Sequence, residues 1–154
     1  MAKLARDVMS NNVITVSVGT TLADARQVME RNQIRHLPVI DPDEQIVGVL
    51  SQRDLLKNAN SYHSRVEDFM SRPVVWMAHD LPLHSAIEKM LDLKISSILV
   101  GDEQNQLIGI VTTDDLLRLL AQSLDKVPRK QTLSTLFDIE SLDEIAYKIS
   151  QTGI

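Results

Sequence analysis

The chain contains no cysteine. That excludes a disulfide framework, thiol chemistry and cysteine-ligated zinc, and it fits a reducing compartment. Aromatic residues make up only 3% of the 154 positions. The core must therefore be built from Val, Ile, Leu, Met and Ala, and stacking platforms for single-stranded nucleic acid are not expected. A net charge of −5 provides no basic footprint for a nucleic-acid backbone. No apolar run approaches the ~20 residues of a membrane-spanning helix, and the opening Met1-Ala2-Lys3-Leu4-Ala5-Arg6-Asp7 is too charged for a signal peptide. Neither nucleic acid nor a membrane is thus expected as a partner, and the expected location is cytoplasmic. Catalytic signatures are missing as well: there is no Gly-x-Ser-x-Gly, no Gly-rich phosphate loop and no recognisable nucleophile–base spacing. His79 and His84 have no carboxylate at clear ligand spacing, so no metal site is expected.

What is present is a duplication. Gly48-Val49-Leu50-Ser51-Gln52-Arg53-Asp54-Leu55-Leu56 returns as Gly109-Ile110-Val111-Thr112-Thr113-Asp114-Asp115-Leu116-Leu117, an offset of 61 residues measured from Asp54 to Asp115. Met9/Met70, Leu22/Leu83, Ala25/Ala86, Met29/Met90 and Val39/Val100 recur in the same register. A repeat of this kind predicts two copies packed about a pseudo-two-fold axis with a cleft between them.

Within the first copy, Val13–Val16 reads as a strand. Leu22, Ala25, Val28 and Met29 mark one face of a helix capped by Thr20 or Thr21. Leu37–Ile40 and Ile46–Leu50 are predicted strands joined by the turn residues Asp41–Gln45, and a helix starts near Ser51 and runs through Lys57. After a polar linker at Asn58–Arg65 the second copy repeats the order, with strands at Val74–Trp76, Ser97–Val100 and Leu107–Val111. Its helices lie at Leu83–Met90 and from near Thr112 to about Leu120. Each unit is strand–helix–strand–strand–helix, an α/β (α+β) arrangement with a right-handed crossover. The predicted division is repeat 1 over 1–60, repeat 2 over 61–121 and an accessory extension over 122–154. In that extension Pro128 ends the preceding helix, and Ser141-Leu142-Asp143-Glu144 has the form of a capping box before a helix.

Two tandem units, each ending in Gly-h-h-Ser/Thr-x-x-Asp (h, hydrophobic), resemble the CBS-domain pair over roughly residues 5–120. The openings Val8-Met9-Ser10 and Phe69-Met70-Ser71 and the string Ile34–Asp41 are similar to that family too. The resemblance implies a regulatory module that binds an adenosine-containing ligand between its repeats and pairs with a second copy. AMP, ADP, ATP and S-adenosylmethionine are the usual candidates. In that family the module commonly regulates a fused enzyme or transporter, so this pair is expected either to stand alone or to act on a separate, unidentified protein, with no catalytic cofactor.

Chemically, a buried ribose presents two neighbouring hydroxyls that one carboxylate can accept. Asp54 and Asp115, with Ser51 and Thr112 beside them, suit that task. The same residues also fit capping boxes, and the two roles are compatible. Arg35, His36 and Arg53 suit phosphate oxygens, or else a solvated strand end. Their counterparts in repeat 2 are Ser96, Ser97 and Asp114, so a phosphate-bearing site is expected on the repeat 1 side alone. By the resemblance, Val13, Ile14, Val74 and Val75, together with Ser96 and Ser97, would line adenine, each slot borrowing from the opposite repeat. Plain core packing explains the valines equally well. The competing reading is a non-binding module whose work is dimerisation, and a third is a nucleotide hydrolase, which would require turnover.

Overall fold

The computed structural model describes residues 3–58, 60–104 and 106–124. Among the described residues there are two three-stranded sheets and four α-helices. In the first half, β1 (Val16–Ser17) pairs parallel with β2 (His36–Ile40), and β2 pairs antiparallel with β3 (Ile46–Ser51). Helix α1 (Leu22–Asn32) bridges the parallel pair, and α2 (Gln52–Lys57) follows β3. The second half repeats this with β4 (Trp76–Ala78), α3 (Leu83–Leu93), β5 (Ser97–Gly101), β6 (Leu107–Thr112) and α4 (Thr113–Leu124). The predicted α+β order is therefore the observed one. Both first strands start later than predicted. Parallel pairing begins only at Val16↔Val39 and Trp76↔Leu99, which leaves Val13–Thr15 and Val74–Val75 outside the ladders.

Local chemistry accounts for the elements. Thr21, not Thr20, caps α1: its hydroxyl accepts from the Asp24 amide at 3.1 Å and donates to the Asp24 carboxylate at 2.7 Å. Leu22, Ala25 and Met29 are the buried stripe of α1, and Leu83, Ala86 and Met90 repeat it in α3. Both helices end on a non-glycine residue in the left-handed region, Gln33 at φ 53° and Lys94 at φ 54°. The following amides close the turn, Ile34 to Met29 and Ile95 to Met90, each at 3.0 Å. This left-handed step turns the chain from α3 into Ile95-Ser96-Ser97.

The opening segments cross over. Val66 and Met70, which begin the second sequence repeat, belong to the buried cluster of the first half with Leu37, Val39 and Leu50. Reciprocally, Ala5 is fully buried, its amide donates to Leu81 at 2.9 Å, and the Leu83 amide donates to Lys3 at 2.8 Å. Ser10 bridges Ile110 of β6, and Ser71 bridges Val49 of β3. Glycine is required where these segments press on a sheet. A Cβ on Gly48 would lie 2.2 Å from Met70 Sδ, and one on Gly109 would lie 2.4 Å from Met9 Sδ. Each methionine therefore occupies the space of the missing side chain.

The chain divides into two units at Leu116/Leu117. Of the second unit only 117–124 are described, all helical and continuing α4. The predicted helix of the accessory extension lies outside the described residues. Among the described residues no helix is long and apolar enough to cross a membrane.

Gly48→Ala is expected to destabilise the fold by about 1–3 kcal/mol, because Met70 must leave its packed rotamer. Gly48→Ala combined with Met70→Ala should lose less than the sum of the two single losses in a denaturant or thermal double-mutant cycle. Additive losses would show that the close approach is not the cause.

Candidate functional site

The end of β3 and the start of α2 form one side of a cleft. Asp54 completes a capping box with Ser51: its Oδ2 accepts from the Ser51 amide at 2.8 Å and from the Ser51 hydroxyl at 2.6 Å. Every such bond uses Oδ2, and Oδ1 accepts none from the described residues. One carboxylate thus caps a helix with one oxygen and leaves the other without a hydrogen bond among the described residues, so the cap does not preclude a second role.

The cleft, of about 190 Å³, is lined from both repeats. Ser51, Arg53, Asp54 and His36 come from the first; Val74, Val75, Ser96 and Ser97 come from the second. Eight sequence-selected residues are therefore gathered in one place, and the apolar pair faces the carboxylate of the opposite repeat. Lys57 and Lys94 also line it and were not selected from the sequence. Lys57 lies one helical turn beyond Asp54, and Lys94 is the left-handed residue at the end of α3.

Other selected residues lie elsewhere. Arg35 forms an exposed ion pair with Asp114 across the repeats. It lines a cavity adjoining the cleft, which shares His36, Ser51, Arg53 and Ser96 with it, rather than the cleft itself. Ile14 packs against the hydrophobic cluster of the first half, and Val13 is half-buried; neither lines the Asp54 cleft. The lone Trp76, which was not selected for the site, lines a separate groove with Thr15, Gln45 and Gln106.

His36 is held neutral. Its pKa is lowered from 6.5 to about 4, by burial first and then by the charges of Arg35 and Arg53, with Asp54 and Asp115 opposing. Its Nε2 lies 2.7 Å from the Ser96 hydroxyl, tying the two repeats together. At neutral pH it therefore carries no positive charge, unlike the neighbouring arginines.

The register-related aspartate in repeat 2 is more deeply buried than Asp54. Asp115 caps α4 through Thr112, with bonds to Oδ2 from the amide at 2.8 Å and from the hydroxyl at 2.7 Å. Its Oδ1 makes a long contact of 3.4 Å with the Ser10 hydroxyl, and the residue is only 8% exposed.

A duplicated α+β pair with a two-sided polar cleft between its halves defines the class of this protein. The chain belongs to the CBS domain family, which it matches over residues 5–61 and 66–122. Inosine-5′-monophosphate dehydrogenase of Methanocaldococcus jannaschii is 35% identical over 116 residues, covering 75% of this chain and 23% of that protein. Homoserine O-acetyltransferase of Methanohalobium evestigatum is 32% identical over 116 residues, covering 75% and 24%. The chain spans about a quarter of the length of these relatives. Among solved structures, the CBS domain pair of protein MJ0100, in complex with 5′-methylthioadenosine and S-adenosyl-L-methionine, superposes with a TM-score of 0.74 at 28% identity. It covers 80% of this chain and 99% of that one. The CBS-domain containing protein ATU1752 from Agrobacterium tumefaciens gives a TM-score of 0.71 at 25% identity, covering 77% and 93%.

Stability should depend on pH through His36. Above pH 6.5 folded and unfolded chains both hold it neutral. As pH falls from 6.5 towards about 4 only the unfolded chain takes up the proton, so stability falls across that window. At pH 5 the loss is at most about 2 kcal/mol, a few degrees in melting temperature. His36→Gln should flatten the melting-temperature profile between pH 7.5 and 5 relative to the wild type. Parallel profiles would contradict the assignment.

Proposed function

We propose that the chain is a ligand-sensing regulatory module that binds an adenosine-containing nucleotide in the cleft at Asp54 and catalyses no reaction of its own. The observation that carries this reading is the convergence of Asp54 and Ser51 with Val74 and Val75 from the opposite repeat in one cleft. Asp54 Oδ1, which no described residue engages, would accept ribose hydroxyls, each charge-assisted bond contributing about 1.5–3 kcal/mol. Val74 and Val75 provide an apolar slot for the base, with the Ser96 and Ser97 hydroxyls beside it for polar edges. Arg53 supplies charge for a phosphate, His36 a hydrogen bond, and Arg35 reaches phosphates only from the adjoining cavity. The adenosine compounds named with the MJ0100 pair support the same ligand class. Thr112 and Asp115 form the register-related second site. There the Ser10 contact and the neighbouring Asp114 disfavour a phosphate, so this site is expected to stay empty or to take a ligand with little charge.

A ligand gripped by both repeats favours one relative arrangement of them. The bias it can transmit equals its difference in affinity for the two arrangements. The receiver would be a second copy or a separate regulated protein in the cytoplasm. A specific observation favours a dimerising role as the second reading: α3 leaves Leu91 72% exposed and Ile87 37% exposed, one helical turn apart. In that reading the module works through protein contacts with no ligand.

Thermal melting of the nucleotide-stripped protein separates these readings. An adenosine ligand at about 100 times its Kd should add about 2.7 kcal/mol, a rise of several degrees. Asp54→Ala should abolish the rise and leave the oligomeric state unchanged. No rise with AMP, ADP, ATP, S-adenosylmethionine or 5′-methylthioadenosine would overturn the sensing reading in favour of the dimerising one.

A further inference from the structure

We infer that the Asp54 cleft selects adenosine ligands that carry phosphate, through Lys57 and Lys94, over uncharged or sulfonium-bearing adenosine compounds. This rests on the adenosine reading of the cleft and specifies its ligand. Three cations line that cleft, and they arrive from different directions. Arg53 and Lys57 come from α2, flanking Asp54, and Lys94 comes from the end of α3 in the other repeat. The single ion pair among the described residues is Arg35–Asp114, so none of the three is ion-paired there. Their one opposing charge in the cleft is Asp54, whose Oδ2 is already engaged by Ser51.

Solvated surface cations are ordinary, but three of them around one concave site repel one another, and the cost grows as water is displaced. A phosphate placed between them relieves that repulsion and gains charge-assisted bonds. The sulfonium of S-adenosylmethionine adds a further positive charge, and 5′-methylthioadenosine contributes no anion.

The concentration of charge is not a by-product of the duplication. At the offset of 61 residues Arg53 is replaced by Asp114, Lys57 by Arg118 and Lys94 by Gln33, while Asp54 is retained as Asp115. The ribose-type carboxylate is thus common to both repeats, and the full set of cations belongs to one. The geometry also provides a path for more than one phosphate. The cleft shares Ser51, Arg53, His36 and Ser96 with the adjoining cavity, so a chain of phosphates leaving Ser51 would pass beside Arg53. Neutral His36 leaves the charge requirement to Arg53, Lys57 and Lys94.

The experiment measures equilibrium binding of adenosine, AMP, ATP, 5′-methylthioadenosine and S-adenosylmethionine at one salt concentration. The proteins compared are the wild type, Lys57→Gln and Lys94→Gln. AMP or ATP should bind the wild type about tenfold or more tightly than 5′-methylthioadenosine or S-adenosylmethionine, and its affinity should fall as salt is raised. Each lysine substitution should weaken the phosphate ligands by ~3- to 30-fold, while 5′-methylthioadenosine changes by less than about twofold. Unchanged melting temperatures without ligand would show that both variants fold. If S-adenosylmethionine or 5′-methylthioadenosine binds as tightly as AMP and ATP, the inference fails and the adenosine reading stands. The same holds if the substitutions weaken every compound equally or none. If no adenosine compound binds, both fail.

Discussion

Everything in the described structure follows from the exchange of opening segments. Each repeat sends its first residues to the other half: Val66 and Met70 complete the core beneath β2 and β3, while Ala5 and Met9 reach the second half. A three-stranded sheet with two helices has too little apolar area to be stable alone, and the exchange makes each core depend on both repeats. The close contact of methionine sulfur with the backbone at Gly48 and Gly109 is its local signature. Because the chain leaves the crossing segment at Ser71 and passes through Val74–Val75 before joining β4, apolar residues of repeat 2 face the carboxylate of repeat 1.

The cleft inherits its chemistry from that arrangement. Symmetry delivers a Ser/Thr-capped aspartate twice, yet the two copies diverge in what surrounds them. Asp54 lines a cleft bordered by Arg53, Lys57 and Lys94, whereas Asp115 is buried, with Ser10 3.4 Å from its second oxygen. Ser71 is the register equivalent of Ser10 and lines the first cleft. The cross-repeat contacts His36–Ser96 and Arg35–Asp114 lie beside the same cleft. Any ligand that moves one half relative to the other must therefore strain or release these contacts, which gives a bound nucleotide a physical route to a changed arrangement.

Much of this was legible in the sequence, for physical reasons. The repeat register located the cores, since Leu22/Leu83, Ala25/Ala86 and Met29/Met90 are buried in both halves. Ser51-x-x-Asp54 and Thr112-x-x-Asp115 were readable as caps because capping depends on near neighbours. What needed the fold was long-range. Arg35 finds Asp114 at a separation of 79 residues, and no local pattern announces that pairing. The depressed pKa of His36 arises from burial, which alternation along a five-residue strand does not determine. Strand starts were misplaced because hydrophobic Val13–Thr15 and Val74–Val75 look like ladder residues, although they precede the first parallel pairs. Lys57 and Lys94 read as ordinary basic helix ends, and the left-handed turn at Lys94 lacks the glycine that would have marked it.

The central claim is that one cleft per chain, the one at Asp54, holds an adenosine nucleotide. Isothermal titration of the nucleotide-stripped protein with AMP tests it most directly, because stoichiometry and site are read together. The account requires one equivalent per chain, lost in Asp54→Ala and kept in Asp115→Ala provided that variant remains folded. Two equivalents, no binding, or loss with the folded Asp115→Ala in place of Asp54→Ala would contradict it.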